Sequence, residues 1–283
     1  MRTSVRALCN AAGFSPQAYY KRRKCELERE SKHGVLRELV GEVRELEPFC
    51  GGRKLFHRLA GGFESHGYSI GRDKFFEFLR EEDLLVKYKY KGTNTTYSKH
   101  SYAVAPNLVK EMEVDSANQV FVSDITYLRL QGSNFAYLFL ITDMFSRKIV
   151  GWHVSDSLGH KEALKALRMA TENLNDPTGI IHHSDRGVQY CCHGYLDELN
   201  SNGMLASMTD ASHCYQNAIA ERVNGILKLE FMLGSVFSSI QQATAATMSA
   251  VNIYNDKRTH WSLGLKTPSA VYGRRGYQQD GGI

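Results

Sequence analysis

The stretch from Asp185 to Glu221 constrains the fold more than any other. It opens with Ile180-Ile181-His182-His183-Ser184-Asp185-Arg186-Gly187, an apolar run that breaks off at a carboxylate beside glycine. That pattern predicts a buried strand delivering Asp185 at its carboxyl end. The stretch closes on Asn217-Ala218-Ile219-Ala220-Glu221-Arg222-Val223-Asn224-Gly225-Ile226-Leu227-Lys228, where Ile219, Val223, Ile226 and Leu227 repeat at helical spacing. Asn217, Glu221, Asn224 and Lys228 fall on a different face of the same helix. A strand-end Asp and a helix Glu are what a divalent-cation site needs.

A site built from carboxylates has to meet something positive, and the distribution of charge bears on what that is. The 283 residues carry a net charge of +5. Residues 1–110 hold 21 Lys and Arg against 13 Asp and Glu, a net of +8, whereas residues 111–283 hold 14 against 17, a net of −3. A basic first part joined to a mildly acidic second part suits a polyanion-binding module feeding carboxylates that metal neutralises. Nucleic acid fits both halves. The 42% hydrophobic content argues for a globular chain. The longest apolar run, residues 135–141, falls well short of the roughly 18 residues of a membrane helix, and the charged start lacks a signal-peptide core, so the cytoplasm is the expected compartment, with no membrane partner. Six cysteines without a C-x-x-C pair read as reduced, packed thiols.

In the basic part, residues 2–12 read as a short helix stopped by Gly13, and Ser15-Pro16 as the cap and first residue of a second helix carrying Lys21-Arg22-Arg23-Lys24. Those four cations suit phosphate contact or a solvated helix end equally. Residues 35–46 continue helically, and two more helices follow at 54–60 and 72–80, separated by Gly61-Gly62 and a turn at 66–69. Short helices with glycine-containing turns resemble a helix-turn-helix bundle. From 84 to 110 the chain turns polar and cationic: Lys87, Lys89, Lys91, Lys99 and Lys110 are interleaved with tyrosines, and the segment holds no acidic residue. This strip reads either as a DNA-tracking arm or as a solvated linker.

Beyond it the texture is α/β. Residues 119–130 predict a central strand with Val120, Val122, Asp124, Thr126 and Leu128 on one face, placing the Asp124 charge among apolar neighbours. Runs at 135–145 and 149–154 complete an antiparallel meander. A helix (160–173), the strand ending in Asp185, a helix (190–200), a short strand (205–208) and the Glu221 helix follow. Three hairpin strands and then alternating helix and strand give the order of the ribonuclease-H-like fold. The expected organisation is a helical DNA-binding region at 1–83, a basic linker at 84–112, the ribonuclease-H-like catalytic domain with a C-terminal helix at 113–275, and a tail at 276–283.

Four segments carry a family resemblance: Val122-Ser123-Asp124-Ile125-Thr126-Tyr127; His183-Ser184-Asp185-Arg186-Gly187-Val188-Gln189-Tyr190; Cys214-Tyr215-Gln216-Asn217-Ala218-Ile219-Ala220-Glu221; and Tyr254-Asn255-Asp256-Lys257-Arg258 with Pro268. In this order, with 35 residues between Asp185 and Glu221, they resemble the bacterial insertion-sequence transposases of the retroviral-integrase type, specifically the OrfB product of two-frame elements. The chain departs from the family where it has Phe121 for a common Trp and Gln216 for a common Asp.

The resemblance implies a DDE recombinase in which Asp124, Asp185 and Glu221 are catalytic and coordinate two magnesium ions, with manganese able to substitute. It implies DNA partners, both element ends and target, together with self-association and an OrfA partner or fusion. Lys228, Asn217, Asn224, His183, Arg186, Lys87, Lys89 and Lys91 are the expected DNA contacts. The alternatives with the same acidic site are a metal-dependent nuclease that does not join strands and a DNA-binding regulator with a decayed catalytic fold. A rival constellation, His182, His183, Cys191, Cys192, His193 and Cys214, offers zinc-ligand chemistry, but none of its spacings is finger-like and His182 and His183 would point to opposite faces of one strand.

Overall fold

The computed structural model of the chain describes residues 4–87, 102, 104–172, 174–210 and 217–273. It divides into two compact units, Met1–Lys87 and Tyr88–Ile283.

The first unit is helical: α1 (Val5–Ala11), α2 (Pro16–Leu46), α3 (Gly52–Ser65) and α4 (Arg72–Glu81). The Ser15 hydroxyl accepts from the Ala18 N–H at 3.1 Å with Pro16 in the first turn, so α2 starts where the sequence predicts. It does not stop after Lys24. It runs for 31 residues, because its second half buries Leu36, Leu39, Val40 and Val43 against α3 and α4 and no proline intervenes. Likewise α3 continues through Gly61-Gly62 to bury Phe63, with Gly62 facing Leu39 of α2. Leu55, Leu59, Phe75, Phe78 and Leu79 complete this core.

The second unit is a six-stranded mixed sheet in the order β3-β2-β1-β4-β5, with β6 pairing β1 farther along. The strands are β1 (Val120–Leu130), β2 (Phe135–Asp143), β3 (Ile149–Ser155), β4 (Ile181–Ser184), β5 (Leu205–Met208) and β6 (Val236–Phe237). β1–β2–β3 form the expected antiparallel meander, and β4 and β5 add in parallel. The helix predicted over 190–200 is two, α6 (Val188–Cys191) and α7 (His193–Ser201), with an extended Cys192 between them. With α5 (His160–Thr171) they cover one face, burying Phe121, Phe139, Ile141, Leu167 and Tyr195. Gly151 of β3 lets α5 approach, since a Cβ there would lie 2.1 Å from the Ala166 carbonyl oxygen.

The other face carries α8 (Ala218–Glu230) and α9 (Ile240–Asp256), with α10 (Pro268–Tyr272) against α9. The fourth sequence motif explains how α9 is held. Asn255 accepts from the Ile149 N–H and donates to its carbonyl, both at 2.9 Å, and the Tyr254 hydroxyl donates to the Arg147 carbonyl at 3.0 Å. Arg258 grips Glu230 at the end of α8 through two hydrogen bonds of 2.8 and 2.7 Å. The ion pair is nearly out of solvent, with side-chain exposures of 3% and 12%. Among the described residues no helix is long and apolar enough to cross a membrane.

Candidate active site

β1 and β4 run parallel with Ser123 opposite Ser184. Asp124 and Asp185 each lie one residue farther on, so adjacent strands bring their carboxylates to one face of the sheet. β4 ends there while β1 continues. The Gly187 N–H donates to Asp185 Oδ1 at 3.0 Å, and the lack of a Cβ there leaves room for that carboxylate, which a Cβ would approach to 3.0 Å.

Asp124 Oδ1 accepts from the Ile125 N–H at 2.8 Å and Oδ2 from Asn224 Nδ2 at 2.6 Å. Burial pushes the Asp124 carboxyl up to about 7, the negative charge of Asp185 adds to that, and Glu221 contributes a smaller push in the same direction. The two donors oppose the shift without cancelling it. Such a carboxyl pair is held where negative charge is costly, a condition that a cation relieves.

Glu221 lies in the first turn of α8, on the face turned to solvent. Its charge reaches Asp124, yet its carboxylate is not drawn in beside the two aspartates: among the described residues no three His, Cys, Asp or Glu side chains converge to hold a metal ion. The donor chemistry nonetheless suits magnesium, a hard cation that takes oxygen ligands, keeps several waters and needs only one or two carboxylates.

The polar stripe of α8 differs from its expected role. Asn217 and Asn224 are 3% and 6% exposed, and they face the sheet. Asn217 Nδ2 donates to the Ser123 carbonyl at 2.9 Å, while Asn224 holds Asp124. β1 presents a carbonyl and a carboxylate to this helix, and buried acceptors require donors. Both asparagines, expected as DNA contacts, thus brace β1. His183, also expected as a DNA contact, is buried as well. It is 2% exposed, with Nδ1 within 2.9 Å of the Ser207 hydroxyl, and burial pushes its pKa down to about 4.

Lys228 is half-buried, and its burial lowers its pKa against the opposing pull of Asp124. Arg186 donates to the Thr209 carbonyl at 2.7 Å beside Asp185. Lys87 is exposed and pairs with Asp83 at 2.8 Å within the helical unit. Lys89, Lys91, Cys214 and Gln216 lie outside the described residues. The rival zinc constellation is engaged elsewhere: His182 Nε2 meets the hydroxyls of Ser123 and Tyr195 at 2.7 and 2.9 Å, on the face away from His183, and the Cys191 thiol donates to the Met208 sulfur at 3.5 Å.

Two models of the integrase core domain match residues 114–214 and 202–268, spans that contain all three carboxylates. A 31 kDa protein of insertion element IS600 of Shigella sonnei is 33% identical over 277 residues, covering 96% of this chain and 99% of that protein. The transposase InsF of insertion sequence IS3A of Escherichia coli K12 is 32% identical over 211 residues, 74% of this chain and 73% of that protein. The chain belongs to the IS3-type insertion-sequence transposases. The fold of this transposase is that of the retroviral integrases: a chain of the simian T-cell lymphotropic virus intasome, solved in complex with PP2A regulatory subunit B56 gamma, aligns with TM-score 0.50 at 14% identity, covering 83% of this chain and 74% of that one.

Proposed function

We propose that the transposase cleaves DNA strands and joins them to target DNA at the Asp124–Asp185 pair, with Glu221 as third carboxylate. The activity is that of a polynucleotidyl transferase acting in DNA transposition. The observation that carries the site assignment is the raised Asp124 carboxyl, within β1, beside Asp185, just past the end of the adjacent parallel strand β4.

Asp124, Asp185 and Glu221 would hold two magnesium ions, or manganese in their place. Bound there, such ions activate the attacking oxygen and stabilise the leaving oxygen of a phosphodiester. Ile125 and Asn224 fix the orientation of the Asp124 carboxylate, and Gly187 fixes that of Asp185. The exposed Glu221 side chain, free of such restraints in its first-turn position, completes the set by a change of rotamer. Lys228 and Arg186 supply positive charge for phosphate near the reacting bond. The attacking oxygen is water for cleavage and a DNA 3′-hydroxyl for joining, so no covalent protein–DNA intermediate is needed. The helical unit at 1–83 and the basic strip with Lys87, Lys89 and Lys91 bring DNA to this site, with the catalytic domain spanning 113–275. The chain self-associates, and an OrfA partner or fusion supplies end recognition.

The test incubates the protein, with OrfA supplied, with magnesium and labelled DNA bearing the element's ends, with and without target DNA. Joined products that vanish in Asp185→Asn support the proposal. Cleavage without joining identifies a nuclease, and binding without cleavage a regulator.

A further inference from the structure

On the face of the sheet opposite Asp124, the β1–β2 hairpin extends beyond the helices that cover the rest of that face. Tyr127, Phe135 and Tyr137 stand there in one edge-on row, with ring centroids 5.8 Å apart for Tyr127–Phe135 and 5.1 Å for Tyr127–Tyr137. Only Tyr137 packs against the α5–α7 core, and Phe135 is 46% exposed. Register places Arg129 between Phe135 on β2 and Val236 on β6, and Val236 is 56% exposed. The result is an apolar and aromatic surface with an exposed guanidinium set into it. Apolar surface concentrated in this way marks a binding site more often than chance exposure.

Two observations say what it binds. The first is charge: Arg129 donates to the Gly234 carbonyl at 2.6 Å, and Lys228 is close enough to feel both Arg129 and Asp124, so cations run from the platform to the catalytic carboxylate. The second is continuity. β4 stops opposite Ser123 and β6 first pairs at Arg129, so among the described residues that edge of β1 carries no neighbouring strand from Asp124 to Leu128. Tyr127 is three residues along the strand from Asp124, roughly 10 Å at the usual rise. A flexible single strand can turn around that open edge from one face to the other. A duplex is too stiff and too wide.

We infer that Tyr127, Phe135 and Tyr137, with Arg129, form a stacking platform for unpaired nucleotides of the DNA strand being processed at Asp124. Aromatic rings accept any base by its π-face and cations track the phosphates, the combination that single-stranded DNA requires. The inference rests on the proposed function and extends it: the DNA end is frayed at the site, and one or more bases leave the duplex to stack on the hairpin.

The test uses the full chain and two probes of arbitrary sequence, a blunt 20-base-pair duplex and the same duplex with a four-nucleotide single-stranded tail bearing 2-aminopurine. Wild-type protein is expected to prefer the tailed probe and to quench the 2-aminopurine by stacking. Phe135→Ala combined with Tyr127→Ala should cut that preference about tenfold and restore the fluorescence, and Arg129→Ala should weaken tail binding without restoring fluorescence while the other rings remain. Thermal melting and sedimentation of each variant accompany the binding data. Equal preference and equal quenching in folded wild type and variants overturn the inference, as does a change of oligomeric state in the variants with no change in tail preference, which makes the patch a surface between copies. Loss of all DNA binding and joining by wild type would instead overturn the function on which the inference rests.

Discussion

Replacing Asp124 by asparagine should stabilise the metal-free protein, and more so as the pH rises. In the folded chain burial and the neighbouring Asp185 charge push the carboxyl up to about 7, from an ordinary value of 3.8. At acid pH both states carry the proton, and the residue adds nothing. Between these two values the unfolded chain loses its proton while the native chain keeps it, so native stability falls as pH rises. At about 1.36 kcal/mol per unit, the penalty at pH 8 is about 4 kcal/mol, of which roughly 2.5 accumulates between pH 5 and pH 8. Asparagine never ionises, but it offers one acceptor to the two donors Ile125 N–H and Asn224 Nδ2, a loss of about 1 kcal/mol at any pH. Asp124→Asn should thus be about 3 kcal/mol more stable than wild type at pH 8, and its advantage should shrink by roughly 2.5 kcal/mol at pH 5. Urea denaturation in the presence of chelator at both pH values measures this. A difference that does not change with pH, or a wild type that is the more stable at pH 8, refutes the reasoning. Saturating magnesium should narrow the gap at pH 8, because it binds the native carboxylate and not the amide.

Arg258→Met should lower the unfolding free energy by about 3 kcal/mol in urea, because it takes the guanidinium away from a mostly buried Glu230, and adding Glu230→Met should recover much of the loss. Gly151→Ala should fail to yield a well-folded protein in thermal melts, since nothing short of displacing α5 removes its clash with the Ala166 carbonyl. Asn224→Ala should lower strand transfer by about 10- to 100-fold and raise the magnesium concentration needed for half-maximal rate, measured on the same substrate, because the Asp124 carboxylate loses its orienting donor.

The parts of the fold that announce themselves in sequence are those where local pattern and tertiary packing agree. The alternation in β1, the run into Asp185 and the Ser15-Pro16 start of α2 are of this kind, as are the succession of β1 to β5 along the chain and the ribonuclease-H-like class. Where the two disagree, packing decides. Gly61-Gly62 reads as a helix break, yet burial of Phe63 and the approach to Leu39 keep α3 intact. Lys21-Arg22-Arg23-Lys24 suit a helix end as well as phosphate contact, yet nothing stops the helix until after Leu46. In the candidate site, helical spacing correctly groups Asn217, Glu221, Asn224 and Lys228 but cannot say which members turn toward the sheet. A helix face has a width of several residues, and the carbonyl of Ser123 and the carboxylate of Asp124 draw the two asparagines inward while Glu221 stays in solvent. The signal available was the amide itself: asparagine can both donate to a carboxylate and be buried, which neither glutamate nor lysine does cheaply. The aromatic row on the hairpin was hidden for a different reason. Tyr127, Phe135 and Tyr137 meet only through the β1–β2 register.

Glu221 is the residue on which the three-carboxylate account depends, because it is the one not gathered in. The most direct measurement compares wild type with Glu221→Gln for binding to element-end DNA and for strand transfer in magnesium. The account predicts that joined product disappears while affinity for DNA stays within about twofold, a surface change at constant shape. Strand transfer at the wild-type rate in Glu221→Gln would contradict it, leaving Asp124 and Asp185 to act without a third carboxylate.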